Sequence, residues 1–144
     1  MKRALVILGL LTTPVASADD VTPTDNDILA AANALGDCAG LLEYISDEMK
    51  LIDKPALSQS MHEAANRALI ASAYLLYLRG NKQKPLKDLV PYSKGRAEVM
   101  MTRLKAAEET AYTTVMLRQQ KICDAVKGLQ ESVVQEVRNE TYLQ

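Results

Sequence analysis

The chain has no tryptophan and no phenylalanine, and six tyrosines are its only aromatic residues. Its core must therefore be built from leucine, alanine, valine, isoleucine and methionine, and alanine and leucine in such quantity favour helix over sheet. A single histidine, His62, leaves little for metal or acid–base chemistry. Zinc sites take three or four ligands, and His62-Glu63 continues as Ala64-Ala65-Asn66, so the second histidine of His-Glu-x-x-His is missing. There is no Gly-x-Ser-x-Gly elbow and no glycine loop to cradle a phosphate. Glu43, Asp47 and Glu48, and Glu108 with Glu109, fall on expected solvent faces with no pairing as acid and base. The chain thus reads as non-enzymatic, with no catalytic residues, no metal and no cofactor.

Long apolar runs are also scarce, and the one at the start is short. Lys2 and Arg3 precede an apolar run from Ala4 to Leu11, Pro14 breaks it, and Ala16-Ser17-Ala18 supplies a small-x-small cleavage pattern. A membrane span needs about 20 apolar residues, so residues 1–18 read as a cleaved signal peptide of bacterial type. Residues 19–144 are then a single exported domain, periplasmic or secreted, without a transmembrane segment. Removing Lys2 and Arg3 from the 17 basic residues leaves 15 against 18 acidic, a net charge of −3. That balance argues against a general nucleic-acid binder.

Cysteine is limited to Cys38 and Cys123. In an exported chain an isolated pair reads as a disulfide, and its spacing excludes the Cys-x-x-Cys redox and Cys-x-x-Cys-His haem motifs. Closing a loop of about 85 residues stabilises a fold by about 4–5 kcal/mol on the chain-entropy argument.

What is present is helical periodicity. After Pro23, Thr24 or Asp25 can cap a first helix in which Ile28, Ala31, Leu35, Cys38, Leu42, Ile45, Met49 and Ile52 recur at three- and four-residue steps. Ala32, Gly36 and Gly40 form a small-residue ridge for close packing, placed where the cysteine must reach its partner. Pro55 opens a second helix with a stripe of Leu57, Met61, Ala64, Ala68, Ala71, Leu75 and Leu78, ended by Gly80-Asn81. Ala97, Met101, Leu104, Ala107 and Ala111 form a third stripe, and Met116, Cys123, Val126, Val133 and Val137 a fourth.

The cysteines decide whether the last two stripes are one helix. On a straight helix over 93–140 parallel to the first, Cys123 would lie about 45 Å up, whereas Cys38 lies about 20 Å up. Disulfide Cα atoms come within about 7 Å, so the chain must fold back. Thr110, Thr113 and Thr114 are weak helix formers and mark the expected turn. The reading is an all-α, up-and-down antiparallel four-helix bundle with helices at 25–52, 55–79, 92–109 and 114–141.

Residues 79–96 are read as an irregular basic region in which Pro85 and Pro91 both interrupt helix, with regular structure resuming after Pro91. Arg79, Lys82, Lys84, Lys87, Lys94 and Arg96 face only Asp88 there, in a chain otherwise acidic. Such a loop suits an acidic partner protein or anionic lipid head groups, though a solvated loop at a bundle end is the simpler reading. Tyr74 and Tyr77 beside it form a contact patch or, more simply, half-buried tyrosines with wet hydroxyls. The expected function is that of a small exported non-catalytic protein binding a protein partner in the cell envelope, of inhibitor, immunity, chaperone or accessory type.

The alternative is a periplasmic bundle holding haem or copper through His62 and a methionine. Met61 adjoins His62 and points elsewhere, so the methionine would be Met49, Met100, Met101 or Met116. A third possibility is self-association through the apolar seams.

Overall fold

The computed structural model describes residues 23–80 and 82–142. Four helices follow one another: α1 (Asp25–Leu51), α2 (Pro55–Arg79), α3 (Leu86–Ala106) and α4 (Glu109–Tyr142). The signal peptide read at residues 1–18 lies outside the described residues. Thr24 caps α1 through a reciprocal pair: its Oγ1 accepts from the Asp27 backbone N–H at 3.2 Å, and Asp27 Oδ2 accepts from the Thr24 N–H at 2.9 Å. The Thr24 hydroxyl, and then its backbone N–H, hold the Asp27 carboxyl below the usual aspartate range.

Directions follow from which side chains meet. Asn33, Asp37 and Asp47 of α1 meet Tyr92, Arg96 and Lys105 of α3 in the same order, so these helices are parallel. Ala32 and Ser46 meet Ser72 and Ser58 of α2 in reverse order. Cys38 and Tyr44 meet Cys123 and Tyr112 of α4 in reverse order too. The chain therefore runs up, down, up, down, and the four-helix bundle with its Cys38–Cys123 disulfide is as the sequence predicts.

α1 is the central element and touches all three others, whereas α3 and α4 barely meet. This explains why its burial exceeds one stripe: Ala32, Ala39, Leu41 and Tyr44 are buried along with Ala31, Leu35 and Cys38. Among the described residues α1 alone has the length and apolarity to cross a membrane, but half of that window is buried inside the bundle. A helix enclosed by three neighbours needs that composition. One core cluster joins Leu35, Cys38, Tyr74, Leu75, Val126, Leu129 and Val133 from α1, α2 and α4. A second joins Leu41, Tyr44, Met100 and Leu104, with Tyr112, Val115 and Met116 against it.

Small hydroxyls sit where helices come closest. Ser72 Oγ donates to the Ala32 carbonyl at 2.7 Å and lies 2.8 Å from Ser93 Oγ, tying α1, α2 and α3 together. At the other end Ser46 Oγ donates to the Ser58 carbonyl at 2.9 Å. Each of these buried serine hydroxyls is thereby satisfied by a neighbouring helix.

Two boundaries differ from expectation. α3 begins at Leu86 rather than 92 and carries Pro91 inside it. Pro91 and Lys87 are both on the exposed side, so the missing hydrogen bond to the Lys87 carbonyl falls where water can replace it. The reversal after α3 falls at Ala107–Glu108, with Ala107 extended (ψ 130°), at the leading edge of the expected 108–114 turn and ahead of its threonines. Thr110, Thr113 and Thr114 lie inside α4, whose start is fixed by packing. Leu104 is sealed against α1, and Tyr112 reaches Tyr44 with ring centroids 6.1 Å apart, so the chain must turn between them. Ile52 and Leu57, placed in the core by the stripes, are 59% and 46% exposed because they flank the α1–α2 turn beyond the reach of α3 and α4.

Candidate functional site

The six cations of the basic segment divide into two groups. The connector is shorter than expected: α2 ends at Arg79, and α3 already includes Lys87, Lys94 and Arg96. The left-handed turn falls on Lys82 (φ 60°), while Gly80 has an ordinary φ of −78°. Arg79 Nε donates to the Asp25 carbonyl at 3.3 Å. Lys82 Nζ pairs with Glu140 Oε1 at 3.3 Å and sits 5.7 Å from the Tyr77 ring centroid. Arg96 Nη2 donates to Asp37 Oδ2 at 2.6 Å, bridging α3 to α1. These three bind the molecule to itself.

Lys84, Lys87 and Lys94 are exposed and make no ion pair among the described residues. Lys87 and Lys94 are seven residues apart on α3, hence on one face. The unpaired charge of this segment is thus Lys84 in the connector and a short stripe of Lys87 and Lys94 on α3, which also carries the half-exposed Tyr92, whose hydroxyl donates to Asn33 Oδ1 at 3.2 Å. The expectation of an irregular loop is corrected accordingly. Pro91 did not stop the helix, and Arg96 is spent on Asp37.

Tyr74 is no wet-edged surface residue. It is 1% exposed, its hydroxyl meets no hydrogen-bond partner among the described residues, and its ring lies 5.8 Å from that of Tyr77. Burial, and then the carboxylates of Glu140 and Glu136, push its phenol well above the usual tyrosine range. Burial, with repulsion from Glu140, also raises the Glu136 carboxyl.

His62 is half exposed on α2, and both ring nitrogens are engaged. Nδ1 is 2.9 Å from the Glu43 carboxylate, and Nε2 is 3.1 Å from Asn66 Nδ2. With the Asn66 amide donating to Nε2, the proton belongs on Nδ1. Among the described residues no three His, Cys, Asp or Glu side chains are grouped to hold a metal ion.

The ridge of Ala32, Gly36 and Gly40 packs closely, but against a different helix from the one expected. A Cβ at Gly36 would lie 2.9 Å from Arg96 Cβ, and one at Gly40 would collide with the Ala97 carbonyl and Met100 Cβ. The glycines admit α3. Cys38 lies two residues from each, about 200° around the helix, and faces α4 instead.

The disulfide itself, with Cα atoms 5.5 Å apart, has surroundings that periodicity did not reveal. Cys38 is 1% exposed, whereas Cys123 is partly exposed. The buried Gln119 aims its carboxamide at both sulfurs, with Nε2 3.8 Å from Cys38 Sγ and 3.7 Å from Cys123 Sγ. Gln119 lies four residues before Cys123, one helical turn away, which was the sequence signal available. Beside the disulfide, between α2 and α4, runs an open groove of about 500 Å³. Met61, Ala64 and Arg67 line it from α2, and Lys127, Val134 and Arg138 from α4. No family model, curated protein or solved structure matches the chain.

Proposed function

We propose that the protein is a small, exported, non-catalytic bundle that binds an acidic partner protein in the cell envelope through Lys84 and the α3 stripe of Lys87 and Lys94. The observation that carries this reading is the division among the cations: three are engaged within the molecule, while Lys84 in the connector and Lys87 and Lys94 on α3 form no ion pair among the described residues. Charges that are left solvated on one face attract and orient a partner of opposite sign. The disulfide accords with folding in an oxidising compartment, and the periplasm is the compartment this reading adopts. An inhibitor, immunity, chaperone or accessory role fits a rigid helical surface of this kind.

The test is a binding measurement on a partner captured from envelope extract. Reversing the three lysines together should weaken the complex at least tenfold, about 1.4 kcal/mol, and flatten its salt dependence. Circular dichroism should remain helical. Unchanged affinity would remove the stripe from the interface.

A further inference from the structure

We propose that Cys123 is a site of thiol exchange in the native fold, open through the α2–α4 groove to a small thiol or dithiol. Three independent features converge on it. The groove is large enough for a glutathione-sized molecule to enter partway, and Cys123 is among the residues that line it. The sulfurs are unequal: Cys38 is sealed in the core, and Cys123 is the partly exposed one. Gln119 offers a buried N–H to both sulfurs, and so remains beside the Cys38 sulfur that would leave.

The chemistry follows from the asymmetry. An incoming thiolate attacks Cys123 Sγ, the Cys38–Cys123 bond breaks, and its electron pair leaves on Cys38 Sγ. That thiolate then takes a proton from solvent. With a monothiol the first product is a mixed disulfide on Cys123, which a second monothiol can resolve to the Cys123 thiol and the oxidised reagent. With a dithiol, the second sulfur, once deprotonated, attacks the first and expels the Cys123 thiolate, which is protonated in turn. The products are two protein thiols and the oxidised, cyclic dithiol, with two electrons and two protons transferred. Exchange is faster when the leaving thiolate is stabilised and the attacked sulfur is accessible, which is what Gln119 and the groove provide. Arg67, Lys127 and Arg138 line the groove together with Asp124 and Glu131, so its walls carry three cations against two carboxylates.

The probe is reduced glutathione added to the oxidised, folded protein without denaturant, followed by alkylation and tryptic mass mapping. Cys123 falls in its own tryptic peptide, 122–127, separate from Cys38. The expected result is glutathione on Cys123 and the alkyl group on Cys38, at a rate that is insensitive to low urea. Gln119→Leu should slow the step about threefold, and Ala64→Leu, which narrows the groove, about tenfold. Adducts on Cys38, adducts divided evenly, or a rate that rises with urea as global unfolding does would each overturn the proposal. So would an unaltered rate in both variants.

Discussion

Gly40 and Gly95 are both interior to helices, and helix propensity alone says that alanine at either would stabilise by about 1 kcal/mol. Their surroundings separate them. A Cβ at Gly95 meets nothing within 4 Å, so Gly95→Ala should gain about 0.5–1 kcal/mol in urea unfolding. A Cβ at Gly40 would strike the Ala97 backbone, which cannot swing aside as a side-chain end could. Gly40→Ala should therefore lose about 1–3 kcal/mol, the cost of overpacking exceeding the propensity gain. Equal shifts of the same sign in the two variants would contradict the close approach of α3. Glu136 gives a prediction in pH. Burial and then Glu140 raise its carboxyl, with Lys82 partly offsetting them. The folded state thus holds this proton more tightly than the unfolded chain does. Its contribution is most favourable at low pH and is lost as pH rises from the ordinary glutamate value, about 4.3, through the raised folded one. Glu136→Gln should accordingly raise the melting temperature at pH 7, and the advantage should vanish towards pH 4.

At the scale of elements, what could be read from the sequence was pattern, and what could not was place. The helix count, the α1 start at Thr24, the α2 bounds and the need for α4 to fold back were legible because caps, Pro55 and the cysteine heights are local or geometric constraints. Pro91 misled because a proline's damage depends on which side of the helix its missing bond falls. On α3 that side is solvent. The threonines misled because their helix propensity is overridden once Tyr112 packs on Tyr44. The ridge of Gly36 and Gly40 was legible as close packing, but its partner was not, since a stripe states that something comes near and not which helix does. Gln119 and the groove were invisible to periodicity, the first being polar at a buried position. Pro91→Ala tests this account of α3. Restoring the bond to the Lys87 carbonyl should stabilise by about 1–2 kcal/mol, less than the roughly 3 kcal/mol cost of a buried helix proline, because the proline also stiffens the unfolded chain. A loss of stability would mean that the proline is required in α3 and is not merely tolerated.

For the whole molecule the decisive asymmetry is that α4, the longest helix, is fastened to α1 and α2 but scarcely to α3. α1, α2 and α3 share the buried serine contacts and the glycine approach, none of which involves α4. The disulfide is the covalent tie between α4 and the other three helices, across a sequence separation of 85 residues. On the loop-entropy argument, removing it with Cys38→Ser and Cys123→Ser together should cost about 4–5 kcal/mol, a large part of a stability of about 5–15 kcal/mol. The loss should not be spread evenly. Hydrogen exchange in the double variant should become fastest along α4, with α1 amides near Leu35 and Ala39 keeping most of their protection, because local opening follows the weakest packing. If instead all four helices lost protection together, α4 would belong to the same cooperative unit as the rest. The bond would then stabilise the bundle as a whole and not the docking of its last helix.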